Sequence, residues 1–204
     1  MIDVDIPQLS SRGIYFGIDC FDSTYSLKSS STHSSISSSF DATGLENYLN
    51  FGKQEPTVSS TVIRNRTEFN SIPLDVEDLW IGRFDASDVS EFSPSRFQSL
   101  KTLVIGNGCF GKVRVFELDG LSELESVVIG ESGIRIDRKE RNDGSYRIVN
   151  CPKLKSIEIG DESFYDYHSF ELSNLPSLQS IEIGQKCFLY APSFSLTGLI
   201  DGLD

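Results

Sequence analysis

A pentapeptide that occurs twice constrains what this chain can fold into. Ser-Ile-Glu-Ile-Gly occupies residues 156–160 and again residues 180–184, at the same place in two units that are each 24 residues long. Each copy follows a Leu-x-x-Leu-like segment and precedes, at fixed distances, a Phe and a Phe-x-Leu segment. Self-similarity at a period of 20–50 residues is the signature of repeat architectures. The sequence therefore predicts a stack of similar units.

Glycines that close an apolar-x-apolar triplet mark the period along the chain. They are Gly17, Gly52, Gly82, Gly106, Gly130, Gly160 and Gly184. The intervals between them are 35, 30, 24, 24, 30 and 24 residues, so the pattern is strong only from Gly82 onward. Glycine adopts positive φ at little cost. We therefore expect Gly106 and its equivalents to turn the chain in that conformation.

Within one unit, apolar residues alternate with their neighbours at the period of a β-strand. Leu103 and Ile105 form one such run before Gly106, and Phe116 and Leu118 form a second run after it. No unit contains the ten or more residues at helical period that a crossover helix would need. Each unit is therefore predicted to be a coil of two short strands joined by tight corners.

Alignment on the glycines places similar residues above one another. In the regular units, the position fourteen residues before the next expected glycine is aromatic, and it holds Phe92, Phe116, Tyr146, Phe170 and Phe194. The position three residues after the glycine is small in four units, which carry Cys20, Cys109, Ser163 and Cys187. One coil cannot bury these side chains alone, but its neighbours can. The predicted fold is mainly β: a right-handed solenoid of six or seven stacked coils of about 24 residues, with few or no long helices.

The chain is predicted to be one continuous domain with an irregular first third. Residues 1–73 are interpreted as degenerate coils or a cap, with a Ser-rich loop at 29–39, and residues 74–204 as the regular repeats. A Ser-rich composition cannot form a core, so this loop is either a linker or a site of modification. One longer unit contains Arg138, Lys139 and Arg141 before an Asp143-Gly144 turn signal. This basic hairpin is either solvated or a contact for an acidic partner.

The motif Leu-x-x-Leu-x-Ser-Ile-x-Ile-Gly-x-x-Cys-Phe resembles leucine-rich repeats, especially the BspA-like type. The resemblance is good over about residues 74–199 and loose over residues 14–73. This chain departs from that type because it has Gly where many copies have Pro after the strand, and because it carries Phe-x-Leu in a second run. Proteins of this resemblance are mostly recognition or adhesion surfaces and not catalysts.

The charge balance bears on the class of partner. The chain has thirty acidic and eighteen basic residues, which gives a net charge of −12. Nucleic acids and anionic lipid surfaces attract basic proteins, so neither is an expected partner. No apolar run is long enough to span a membrane, and the N-terminus lacks the features of a secretory signal. We expect a cytoplasmic protein with reduced, buried cysteines, and a cell-surface location stays open if the chain is a fragment.

The sequence offers no catalytic constellation. Neither His33 nor His168 has a nearby Ser or Cys at a spacing that the repeat would fix in a catalytic geometry. No Cys-x₂-Cys or His-x₃-His pair suggests zinc. We expect no enzyme activity, no metal and no cofactor. The weakest alternative is a β-solenoid enzyme that acts on polysaccharides through paired carboxylates. Its candidates are Glu158 with Glu182 and Glu117 with Glu171.

The middle outward position of the first strand is the most informative column. Along the chain it holds Tyr15, Asn50, Trp80, Val104, Val128, Glu158 and Glu182. Apolar residues exposed beside charge are typical of interaction sites. We therefore expect a non-enzymatic protein-interaction module in which the three apolar residues form the anchor. Glu158 and Glu182, together with the basic hairpin, would select a partner by its charge. The alternative is that a flanking segment or another chain covers the three apolar residues.

One alternative belongs to another class. The C-terminal residues show no polar cap, and the ends of an uncapped stack would offer unpaired backbone groups to another chain. The protein would then be structural or adhesive and would assemble end to end.

Overall fold

A computed structural model describes residues 60–82, 86, 89–136 and 144–199, together with the backbone of one N-terminal strand. The elements are β1 (Gly13–Phe16), β2 (Thr61–Ile63), α1 (Arg66–Asn70), β3 (Asp78–Ile81), β4 (Glu91–Phe92), a short 3-10 helix (Pro94–Arg96), β5 (Thr102–Ile105), β6 (Val115–Asp119), β7 (Ser126–Ile129), β8 (Gly144–Val149), β9 (Ser156–Ile159), β10 (Tyr167–Ser173), β11 (Ser180–Ile183) and β12 (Ser193–Thr197). The chain is mainly β, and the described residues contain no long helix; α1 has five residues. The predicted Ser-rich loop at 29–39 lies outside the described residues.

The strands form two parallel sheets. The first has seven strands in the order β1-β11-β9-β7-β5-β3-β2, and the second has five in the order β12-β10-β8-β6-β4. From β3 onward, successive strands alternate between the two sheets. Within each sheet, the strands from β3 onward therefore pair with strands that are next but one to them along the chain.

The aromatic column is confirmed. Phe92, Phe116, Tyr146, Phe170 and Phe194 pair with one another in register across the five-stranded sheet. Their rings stack, with centroids 5.9, 5.2, 5.1 and 5.0 Å apart along the column. All five are buried. A buried side chain of this size contributes roughly 1.5–3 kcal/mol, so the column is a main source of stability.

The core is formed by the inward positions of both sheets. In β3, β5, β7, β9 and β11 every second residue is buried and the residues between are partly exposed. Leu79, Leu103, Val127 and Ile157 are fully buried, as is Phe116 in the other sheet. This alternation directs one face of each sheet to the core and leaves the other face outward.

The expected role of the repeat glycines is wrong. The described repeat glycines, Gly82, Gly106, Gly130, Gly160 and Gly184, do not have positive φ. Positive φ occurs two residues later, at Gly108, Ser132, Glu162 and Lys186. The glycines provide space instead. A Cβ at Gly160 would stand 2.5 Å from the backbone N of Glu131 and 2.6 Å from the carbonyl C of Gly130. Only a residue without a side chain lets neighbouring units approach so closely.

The small residues three positions after the repeat glycine form hydrogen bonds to the preceding unit. The Cys109 thiol donates to the carbonyl of Ile81 at 3.3 Å, and the Cys187 thiol donates to that of Gly160 at 3.1 Å. At the equivalent position the Ser163 hydroxyl donates to the Gly130 carbonyl at 2.7 Å. Cys109, Cys151 and Cys187 carry buried thiols, as predicted. The fourth cysteine, Cys20, lies outside the described residues.

The N-terminal strand lies at the opposite end from the one that the sequence suggests. Counting glycines places Tyr15 in a first coil that precedes Trp80 by two units. Instead, β1 pairs in parallel with β11, with Tyr15 opposite Glu182. The apolar-x-apolar pattern of β1 matches any strand of the sheet, so it predicts a strand but not that strand's place in the order. Asn50, expected between them, lies outside the described residues.

Candidate functional site

The outward face of the seven-stranded sheet brings together five of the predicted site residues. Trp80, Val104, Val128, Glu158 and Glu182 lie directly opposite one another on successive strands, in the predicted order. All five are partly buried. Neighbouring strands lie about 4.8 Å apart, so the column extends over about 19 Å.

Val62 is a sixth member of this column, which the sequence analysis missed. It lies opposite Trp80 in the register of β2 with β3, and it is also partly buried. The apolar part of the column therefore has four residues. The marker glycine follows the middle outward residue by two positions in the other strands. Arg64 occupies that position after Val62, so the glycine pattern does not reveal β2. The pair Val62-Ile63, which matches Val104-Ile105 at the end of β5, is the signal that could have found it.

A row of small hydroxyl side chains runs beside the column, two residues earlier in each strand. Thr102, Ser126, Ser156 and Ser180 are in register. The Ser156 hydroxyl donates to that of Ser126 at 3.2 Å. Because these side chains are short, they leave the flank of the larger residues open while offering hydroxyl groups next to them.

The lysines that flank the strand starts are already paired. Lys101 Nζ lies 2.7 Å from Glu77 Oε2, and Lys155 Nζ lies 2.5 Å from Glu125 Oε2. The hydrogen bond that Lys101 donates to Glu77 raises the pKa of Lys101, and the hydrogen bond that Lys155 donates to Glu125 lowers the pKa of Glu125. Exposed pairs of this kind contribute little to stability. Their relevance is that these cations are engaged by carboxylates outside the column.

Glu158 and Glu182 are neighbours without a cation. They lie opposite each other on parallel strands, and neither forms an ion pair with any residue in the described part of the chain. Burial, and next the negative charge of Glu182, raise the pKa of the Glu158 carboxyl. Like charges directly opposite each other in a sheet are destabilising. Among the described residues, no cation therefore compensates the negative charge of this pair.

The outward column of the other sheet is different, because its carboxylates contact a cation. Arg147 Nη1 lies 2.6 Å from Glu117 Oε1 and 3.2 Å from Asp119 Oδ2, and Arg147 Nε lies 3.2 Å from Glu171 Oε2. Arg147 stands between Glu117 and Glu171 in register, so these two glutamates are not on neighbouring strands. The second predicted carboxylate pair is thus separated by a guanidinium group.

The basic hairpin cannot be placed beside this column. Arg138, Lys139 and Arg141 lie outside the described residues. The described residues contain no group of three or more His, Cys, Asp or Glu side chains that could hold a metal ion. Within the described ranges, no helix is long and apolar enough to cross a lipid bilayer. The chain matches no protein-family model, no curated protein and no solved structure.

Proposed function

We propose that this chain is a protein-interaction module, not an enzyme, and that it binds its partner on the strand face. The strand face is the outward column of Val62, Trp80, Val104, Val128, Glu158 and Glu182. One observation carries the proposal: an apolar stripe runs directly into a pair of carboxylates that no described cation neutralises. Burying a group of this kind requires a complementary surface, which a partner would supply.

The proposal includes a right-handed solenoid of the leucine-rich-repeat type. Its support is the alternation of successive strands between two parallel sheets and the register of like residues at intervals of 24 or 30. In such a stack the strand face is an extended surface that crosses six strands. A surface of this length suits an extended or helical segment of a partner better than a small molecule, which needs an enclosed pocket.

The apolar part of the strand face would supply most of the binding energy. Trp80 is the only tryptophan of the chain and lies between Val62 and Val104. Tryptophan is enriched among the interface residues whose truncation costs about 2 kcal/mol or more. We expect Trp80 to be the anchor, with the valines excluding water around it.

The acidic end would select a basic partner. A Lys or Arg side chain placed over Glu158 and Glu182 would relieve their repulsion and lower the raised pKa of Glu158. Such a partner would carry its cation about 14–19 Å from the apolar group that contacts Trp80, three to four strand spacings along the column. Binding would then weaken as the pH falls and Glu158 becomes protonated.

A matched pair of substitutions tests the proposal. Val104→Asp adds a charge to the strand face, and Val115→Asp adds the same charge at a partly buried outward position of the other sheet. Both proteins would be used as bait in a native lysate, with circular dichroism as a check of folding. We expect Val104→Asp to lose binding partners that the unmodified protein and Val115→Asp retain. If all three folded proteins retain the same partners, the strand face is not the binding surface.

End-to-end assembly is a second candidate because β12 is an edge strand of the five-stranded sheet. Among the described strands it pairs with β10 alone. Edge strands favour association with another chain. Sedimentation velocity over a range of concentrations tests this candidate, and a monomer at the highest concentration would exclude it.

A further inference from the structure

The pairing of β1 with β11 is the feature of the fold that neither the repeat nor the strand face explains. Gly13 to Phe16 lie opposite Ser180 to Ile183 in parallel, in the same register by which β9 pairs on the other side of β11. Strand β1 thus occupies the place in the sheet that follows the last first-sheet strand of the regular repeats. A segment from one end of the chain completes the sheet at the other end.

This strand lies at an edge of the sheet. It has four residues, and in the part of the chain that the structure describes its backbone pairs on one side only. The net gain per backbone hydrogen bond is small and is offset by the entropy lost on ordering the strand. Short edge elements open locally at far lower cost than the whole domain. When β1 leaves, the backbone groups of β11 become a bare edge that accepts a parallel strand.

The length of the connection does not tie β1 to its own sheet. Forty-four residues separate Phe16 from Thr61, and β1 and β2 lie at opposite edges of the seven-stranded sheet. The two edges are six strand spacings, or about 29 Å, apart. Forty-four residues can span at most about 145 Å. The same connection is therefore long enough for β1 to reach the β11 edge of a neighbouring molecule.

We propose that β1 exchanges between copies, so that the β11 edge of one molecule accepts Gly13–Phe16 of a second and donates its own in return. The strand contacts are identical in the closed monomer and in the exchanged dimer, which is the condition for domain swapping. The protein concentration decides between the two states. The closed monomer is favoured only because its own β1 is tethered close to β11, which gives that strand a high effective concentration. The proposal concerns the edge of the sheet and does not depend on the strand face.

Site-specific disulfides distinguish the two states. Tyr15 and Glu182 are direct partners on neighbouring parallel strands, about 4.8 Å apart, which is within the Cα separation that a disulfide spans. One chain carries Tyr15→Cys and the other Glu182→Cys, and both carry Cys20→Ser. The chains are mixed at high concentration, equilibrated, diluted, oxidised and run on a non-reducing gel. Exchange predicts a shift from the 22.7 kDa monomer to a linked heterodimer of twice that mass.

Two controls make each outcome decisive. Tyr15→Cys mixed with Glu158→Cys places the second thiol one strand further away, at about 9.6 Å, beyond disulfide reach. A heterodimer that forms equally well in this control is a collision product and overturns the proposal. The double variant Tyr15→Cys, Glu182→Cys in one chain reports whether β1 pairs with β11 at all. An intramolecular bond there without a heterodimer in the mixture shows that β1 stays on its own chain. No bond in either case overturns the pairing and the exchange together.

Discussion

Substitution of Gly160 by alanine tests the account of the repeat glycines most directly. An ideal Cβ at this position would meet three backbone atoms, at 2.5, 2.6 and 2.9 Å. Ordinary van der Waals contact begins at 3.4 Å, so the nearest atom is about 0.9 Å too close. The obstructing atoms belong to the backbone of the preceding unit. No side-chain rotation can therefore relieve the clash, and two stacked units must separate.

The expected cost follows from the kind of atom that must move. Overpacking a well-packed interior costs typically 1–3 kcal/mol, and backbone obstruction places Gly160→Ala at the upper end, at about 3 kcal/mol. With a urea m value of about 2 kcal/mol/M, this lowers the midpoint of unfolding by about 1.5 M. Such a loss is a large part of the roughly 5–15 kcal/mol that stabilises an ordinary domain.

Substitutions at two other glycines distinguish the effect of limited space from the effect of backbone conformation. At Gly111 an added Cβ would meet nothing within 4 Å and φ is not positive, so Gly111→Ala should stabilise the protein by about 0.4–1 kcal/mol. Gly120 also has open space but a φ of +69°, so Gly120→Ala should cost about 1–2 kcal/mol through backbone strain alone. Gly111→Ala should be the most stable of the three variants, Gly120→Ala should be less stable, and Gly160→Ala should be the least stable.

Urea denaturation followed by circular dichroism would measure the three variants beside the unmodified protein. A Gly160→Ala midpoint equal to or above that of Gly120→Ala would refute the spatial argument, because the close approach between units would then carry no penalty. Equal midpoints for all three variants would refute both arguments.

Two further predictions concern buried polar groups. The pKa of Glu158 is raised, so its ionised form opposes folding above the ordinary glutamate pKa. Glu158→Gln should therefore stabilise the protein at pH 7, and the gain should vanish as the pH falls below about 4; a gain that persists at low pH would contradict the ionisation argument. The Tyr146 hydroxyl is buried without a hydrogen-bond partner, whereas the Tyr167 hydroxyl donates to the Val113 carbonyl at 2.5 Å. Thermal denaturation should show Tyr146→Phe stabilised by about 1 kcal/mol and Tyr167→Phe destabilised by about 1 kcal/mol, and the same sign for both would be evidence against this assignment.

The periodic part of the structure could be predicted because each side chain repeats its environment. Phe116, Tyr146 and Phe170 stack because residues at one place in successive units face the same neighbours. The same regularity placed Trp80 and Glu182 in one column. The alternation of apolar and polar residues determines which residues face the core, and this alternation can be read from a few consecutive residues of each strand.

The features that the sequence did not predict depend on which segments meet. Val62 lacks the marker glycine, which is needed only where a strand end packs closely on the preceding unit. The position of β1 depends on which edge of the sheet is open, and the alternation of apolar residues carries no such information. The sequence could not show that Glu158 has no cation beside it among the described residues, because Lys101 and Lys155 pair with Glu77 and Glu125 instead.

The closure of the sheet by β1 has a consequence for how the chain acquires its fold. The other strands of the first sheet meet partners 18 to 30 residues away, whereas Gly13 and Ser180 are 167 positions apart. Short loops close at low entropic cost, so units can add to one another as they emerge from the ribosome. Strand β1, made among the first, must wait for a partner made among the last. At ordinary rates of translation that delay is on the order of ten seconds, during which β1 has not yet met β11.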